Sequence, residues 1–219
     1  MKLFFYSILL FAVLSFVFVS CKNTIVGTGD ITVQISDSLI IHAYITDYYW
    51  NTNFKNDDDF AAVAWISGPT GYVGRTLFKF NLSSIPSNAT IKKAIFLLNY
   101  NVEPFHYSGA GHHQDSGSNA SYFQRITQNW LDSVVTWGNQ PTVTTNGQII
   151  LDSSNSNYQN YSVDMTAAIN DMVKNPASNF GFLFKLKYES PIRVLGFTFG
   201  SGNHNLKPVL NITFSNQNN

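Results

Sequence analysis

The chain has 219 residues, with 13 Lys and Arg against 13 Asp and Glu, and charged residues make up only 12% of it, against roughly 25% in an average globular domain. Balanced, sparse charge leaves no basic face, which excludes electrostatic recognition of nucleic acid or of an acidic membrane surface. In place of charge stand Asn, Ser, Thr and 15% aromatic residues. That composition suits uncharged, hydroxyl-rich partners, because rings cover apolar sugar faces while amides meet hydroxyls, and exported β-proteins share it for other reasons.

Met1 and Lys2 precede an apolar run from Leu3 to Val19 that ends in Phe18-Val19-Ser20-Cys21. A positive start, an apolar stretch and a small residue before a cut are the layout of a secretory signal peptide over residues 1–20. The alternative is an uncleaved membrane helix, since the run approaches the roughly 20 apolar residues that cross a bilayer. Cys21 is the only cysteine, so no disulfide can form within the chain and the thiol needs another use. The segment resembles the lipobox of bacterial lipoproteins, whose cysteine after the cleavage site receives diacylglycerol. The resemblance implies lipidation of Cys21 and an exported protein, anchored by lipid to the bacterial cell envelope at the outer membrane. Residues 21–38, punctuated by Gly27 and Gly29, then form the lipidated cysteine and a tether, and the domain spans 39–215.

Period-two alternation follows in Ile31, Val33 and Ile35, in Thr76, Phe78, Phe80 and Leu82, and in Phe182, Phe184, Leu186 and Tyr188; these predict half-buried strands. Further strands are predicted over 40–46, 61–66, 91–101, 122–127, 148–151, 158–163, 192–199 and 209–214, separated by turn clusters such as Ser83-Ser84-Ile85-Pro86. Many short strands with Gly, Pro, Ser and Asn between them predict an all-β, antiparallel sandwich. One segment differs. Ile169, Met172 and Val173 fall at helical spacing, Asp164 or Thr166 can cap the start, and Pro176 stops it, which predicts one short helix near residues 166–175.

Four phrases in order resemble the DNRLRE-type domain, a jelly-roll β-sandwich family related to carbohydrate-binding modules. They are Arg75-Thr76-Leu77-Phe78-Lys79-Phe80 with the turn that follows; Val135-Thr136-Trp137-Gly138-Asn139-Gln140-Pro141 after Trp130; Val163-Asp164-Met165-Thr166-Ala167-Ala168-Ile169; and Lys207-Pro208-Val209-Leu210-Asn211-Ile212. The resemblance implies a jelly-roll fold, a carbohydrate-binding surface and the option of a structural calcium. The chain departs from the family pattern at Asn81, where an aspartate is usual, and at His42-Ala43-Tyr44.

The residues themselves give Trp130 and Trp137 a structural reading, their rings held in a core under an ordered loop. Arg75 opens a strand where its guanidinium can satisfy loop carbonyls, pair with a carboxylate such as Asp164, or remain an exposed charge. Walker, dinucleotide, Gly-x-Ser-x-Gly, His-Glu-x-x-His and paired-cysteine motifs are absent, which leaves catalysis without a local signature. Asp57-Asp58-Asp59 offers hard oxygen donors for calcium, or forms a solvated turn. His106, His112, His113 and Asp115 offer a transition-metal set, or a solvated loop. The carbohydrate candidates are Tyr48, Tyr49 and Trp50 together, with Trp65, Tyr72 and Tyr107; alternate members of the triplet could instead pack as a strand end. The leading expectation is a non-catalytic envelope protein that binds glycan or another extracellular polymer. A structural or adhesive protein-binding module is the rival, and a polysaccharide hydrolase or lyase using Glu103, Glu189 or aspartates stands third.

Overall fold

The computed structural model describes residues 29–200 and 206–216. The expected signal peptide, Cys21 and Gly27 lie outside the described residues. The chain forms an all-β antiparallel sandwich with one short helix, as its patterning predicts. In chain order the elements are β1 (Ile31–Ser36), β2 (Ile40–Thr46), β3 (Phe54–Lys55), β4 (Asp59–Ser67), β5 (Thr70–Phe80), β6 (Thr90–Leu98), β7 (Ser121–Ile126), β8 (Val143–Leu151), β9 (Tyr161–Asp164), α1 (Thr166–Lys174), β10 (Phe182–Leu186), β11 (Arg193–Thr198) and β12 (Val209–Ser215). One sheet runs β1, β12, β6, β9. The other runs β11, β4, β5, β10, β7, β8, with β2 paired to β5 and the two-residue β3 paired to β2.

Alternation decides which side of each strand meets the core. Along β12, Leu210, Ile212 and Phe214 are buried while their neighbours are half-exposed. Phenylalanines from both sheets fill the space between: Phe78 of β5 lies 4.9 Å edge-on to Phe123 of β7 and stacks at 5.7 Å on Phe96 of β6, in the opposite sheet. Full burial of one such ring stabilises by about 1.5–3 kcal/mol. The helix closes one side of this core. Ile169, Met172 and Val173 are buried, as their spacing predicts. Thr166 Oγ1 accepts the Ala94 N–H at 3.0 Å, which fastens α1 to β6. Asp164 Oδ1 accepts the Thr166 N–H at 2.8 Å at the helix start.

Residues 31–36 form the strand that their alternation predicts and pair along β12 from Ile31↔Phe214 to Ser36↔Val209. Three elements differ from the patterned expectation. β5 starts at Thr70 rather than Thr76 because Gly71 and Gly74 interrupt its apolar alternation. At Gly74 the gap is needed, since a Cβ there would overlap the Tyr44 hydroxyl. β8 starts at Val143 rather than Gln148; Thr144, Thr145, Asn146 and Gly147 have turn chemistry, and the ladder with β7 absorbs them through an irregularity between Phe123 and Arg125. β3 is too short to carry a period. Among the described residues no helix is long and apolar enough to cross a membrane.

Candidate functional site

On β4 and β11 the residues that alternate with the main core face a second apolar cluster. Ala61, Val63 and Val194 pack there with Tyr44 and Tyr107, and Phe54, Trp65 and Tyr72 border it. The segment after β6 covers this face, and Asp59 at the head of β4 holds it down. Asp59 is fully buried. Its Oδ2 accepts the N–H groups of His106 at 2.8 Å and Phe105 at 3.1 Å, and its Oδ1 accepts Asn101 Nδ2 at 2.5 Å. Burial raises the carboxyl to about 6, against the pull of the His106 N–H. The neighbouring Asp57 accepts the Asp59 N–H on Oδ1 at 2.9 Å, and its Oδ2 meets His106 Nε2 at 2.8 Å. The His106 ring stacks on Tyr44 at 3.9 Å.

This clamp builds one wall of an aromatic cleft of about 290 Å³, at the low end of the range for ligand sites, about 300–1,000 Å³. The opposite wall is the turn Asp47–Tyr49, started by Thr46 Oγ1 accepting the Tyr48 N–H and tied to β5 by Asp47 Oδ1 accepting the Val73 N–H at 2.8 Å. Tyr48 and Tyr49 are about half exposed and meet edge to face at 4.8 Å. Tyr72 lies 5.5 Å from Tyr48 and is the cross-strand partner of Trp65; its hydroxyl donates to the His106 carbonyl. Burial, with Asp59 next, pushes the Tyr72 phenol up to about 12. Trp65, Ile66, Ser67, Phe105, Tyr107 and Ser108 complete the lining with Thr46 and His106, and among the described residues no Lys, Arg, Asp or Glu side chain contributes to it.

Five of the six aromatic candidates therefore line one cleft, and they do so differently. Tyr107 is 5% exposed and belongs to the floor, not to an open platform. Trp50 is absent from the lining. Its indole lies across Gly138, where any Cβ would overlap Nε1, and its carbonyl accepts the Gly138 N–H at 3.1 Å. Phe105, 79% exposed at the rim, was not among the candidates. Its signal was an aromatic residue in a segment rich in Gly and Ser, too polar to bury it.

The metal candidates regroup. His112 is buried, with Nδ1 accepting the Gly196 N–H and Nε2 on the Gln159 carbonyl. His113 lies edge-on to Trp65 at 4.9 Å and 3.5 Å from Asp115. Only His106 leaves this set, to join Asp57 and Asp59, with one donor atom of each within 4.8 Å of the others. Asp58 is exposed, because successive residues of an extended chain point to opposite sides. The group does not fit calcium, which takes six to eight oxygens: one of the three donors is nitrogen, and N–H groups already occupy the carboxylate oxygens.

Three of the structural candidates, Arg75, Trp130 and Trp137, gather around a third apolar cluster. Arg75 pairs with Glu189 rather than Asp164, through Nε and Nη2 at 2.7 Å each, while Nη1 reaches Gln140 Oε1 at 2.7 Å and Cζ sits 4.5 Å over the Trp137 ring. Asp164 instead serves the helix start on the other sheet. Trp130 Nε1 donates to the Phe180 carbonyl at 2.7 Å, and both tryptophans pack on Ala43, Ile45, Leu77 and Val135. Glu189 is thus committed to Arg75 and Lys185, and Glu103 does not line the cleft.

No curated protein matches the chain. The family model of carbohydrate-binding module family 96 matches residues 36–214, which takes in both sheets from the end of β1 to β12 together with every residue of the cleft. The chain belongs to carbohydrate-binding module family 96.

Proposed function

We propose that this chain is a non-catalytic envelope lipoprotein whose cleft between Tyr48-Tyr49 and Phe105 binds carbohydrate. The observation that carries the reading is the convergence of Tyr48, Tyr49, Trp65, Tyr72 and Phe105 on one concave site whose polar side chains are hydroxyls and the His106 ring. Rings offer flat apolar faces to the C–H side of a pyranose, and hydroxyls at the rim orient it. Membership of a carbohydrate-binding module family supports the same reading. The lining supplies no carboxylate pair for glycoside hydrolysis.

The lipid anchor is proposed on the sequence alone: Cys21 is the lone thiol and follows an apolar run. It would hold the module at the envelope so that the cleft meets polymer outside the cell. A glycan array probed with the full-length chain in detergent tests the binding half. The expected result is retention on at least one polysaccharide, lost in Tyr48→Ala and Phe105→Ala. Retention on none, with cell adhesion undiminished by either variant, would replace the glycan reading with a protein-adhesive one. Metabolic labelling with a radioactive fatty acid tests the anchor; label absent from the protein, or still present in Cys21→Ala, would remove it.

A further inference from the structure

We propose that a second cavity, at the far end of β5 from the cleft, binds the acyl chain of a fatty carboxylate, with Lys79 at its mouth receiving the head group. The cavity measures about 470 Å³, larger than the cleft, and shares no lining residue with it. Tyr72 of the cleft lies near the start of β5 and Lys79 near its end, a separation of roughly 24 Å at about 3.4 Å per strand residue. The two sites are separate, so this inference stands or falls independently of the glycan reading.

The cavity forms where α1 and β5 end and β2 begins. Asn179, just beyond the helix, donates Nδ2 to the Phe80 carbonyl at 3.0 Å, which fixes the chain leaving α1 against the last residue of β5. The turn after β5 closes the other side, with the Asn81 N–H on the Leu39 carbonyl at 2.8 Å and the Ser83 N–H on Asn81 Oδ1 at 3.1 Å. Burial sorts the lining into two kinds. Leu82, Ile85, Met172 and Val173 are buried and form an aliphatic wall, while the one ring, Phe80, turns into the core, edge-on to Phe78 at 5.5 Å and to Phe96 at 5.1 Å. Ser38, Asn81 and Ser83 are exposed and make the rim, together with the cross-strand partners Ile41 and Lys79.

An aliphatic wall beneath a rim of hydroxyls and an ammonium complements a molecule with one apolar chain and one anionic end. Apolar burial is non-directional and suits a flexible hydrocarbon, to which the Met172 thioether can adapt. Lys55, Lys185 and Lys207 pair with Asp132, Glu189 and Asp37, whereas Lys79 has no carboxylate partner among the described residues, and no Asp or Glu lines the cavity. A lysine stem lies along apolar surface while its ammonium stays at the water boundary. A carboxylate arriving there takes charge-assisted hydrogen bonds from the ammonium and neutral ones from the Ser38 and Ser83 hydroxyls.

The test titrates octanoate, decanoate and dodecanoate, below their micellar concentrations, into the full-length chain held in phospholipid nanodiscs, with empty nanodiscs as the reference; detergent is avoided because it would compete. Ser83→Trp plugs the mouth from an exposed position, and Lys79→Met removes the charge while keeping the stem; urea denaturation of both checks that they fold. The expected result is saturable binding of one carboxylate per chain, tightening about fourfold for each methylene buried. Ser83→Trp should weaken it tenfold or more, Lys79→Met should weaken decanoate threefold or more with 1-decanol unchanged, and Phe105→Ala should leave it unaltered. No saturable binding above the empty nanodiscs, or binding undiminished in Ser83→Trp, would overturn the site. Binding of 1-decanol as tight as that of decanoate, with Lys79→Met silent, would overturn the fatty carboxylate as its ligand.

Discussion

The carboxylate of Asp59 accepts the main-chain N–H of His106 at 2.8 Å from within the fold, fully buried at the head of β4. That contact fixes where the loop wall of the cleft stands relative to the sheet. Asp59→Ala strands three donors, and each buried unsatisfied group costs about 1–3 kcal/mol. A fall in stability of at least roughly 3 kcal/mol is expected by urea denaturation. Asp59→Asn keeps an acceptor and should cost less. The wild-type carboxyl titrates at about 6, above its ordinary 3.8, so its contribution is complete below pH 3.8 and is lost as pH rises through 6. The destabilisation caused by Asp59→Asn should accordingly be largest below pH 3.8, shrink as pH rises to 6 and stay level above it.

The triplet Tyr48-Tyr49-Trp50 divides between two jobs, and its members should respond differently to truncation. Tyr48→Ala opens the cleft and is expected to weaken glycan binding tenfold or more while the melting temperature stays close to wild type. Trp50→Ala uncovers Gly138 and should lower stability by about 1 kcal/mol with glycan affinity unchanged. Side-by-side calorimetry and thermal melts of the two variants check the division.

Gly74→Ala would drive a methyl group into the Tyr44 hydroxyl. Overpacking of this kind costs about 1–3 kcal/mol. Because Tyr44 stacks under His106, the shift should reach the cleft floor, lowering both the denaturation midpoint and glycan affinity. A variant with normal affinity at a lowered midpoint would mean that the floor moves independently of Tyr44.

Two buried histidines set an acid limit. Burial lowers the pKa of both His42 and His112 from 6.5. His112 Nδ1 accepts the Gly196 N–H, which requires the neutral ring. His42 has Nε2 on the Asp57 carbonyl and its buried Nδ1 without a partner. Since each folded value lies below the unfolded one, their contribution is full above pH 6.5 and is lost as pH falls through the lowered values. Stability of the wild type measured by urea denaturation should therefore decline more steeply below pH 6.5 than that of His112→Gln.

Much of the fold was legible because its determinants are local. Leu210, Ile212 and Phe214 alternate, and Ile169, Met172 and Val173 repeat at helical spacing, so strand and helix follow from period alone. Boundaries failed where glycine and turn residues entered a strand, as at Gly74 and Gly147, because cross-strand packing rather than propensity holds them. The cleft was half legible. Its rings could be picked by type, yet Tyr107 and Trp50 needed the tertiary structure to be placed, since adjacent residues can face a pocket or a loop. The pairing of Asp57 and Asp59 with His106 spans nearly fifty residues of chain, and no spacing rule links them. Arg75 likewise finds Glu189 across the sheet, where only register could bring them together.

The central claim is that the aromatic cleft binds carbohydrate, and the most direct measurement is calorimetric titration of neutral and acidic polysaccharides into the full-length chain and into Phe105→Ala. The ring is 79% exposed, so its removal leaves the core untouched. Saturable binding by the wild type with tenfold or greater weakening in Phe105→Ala is the predicted result. Undiminished binding by the variant would place the glycan site elsewhere and contradict the account.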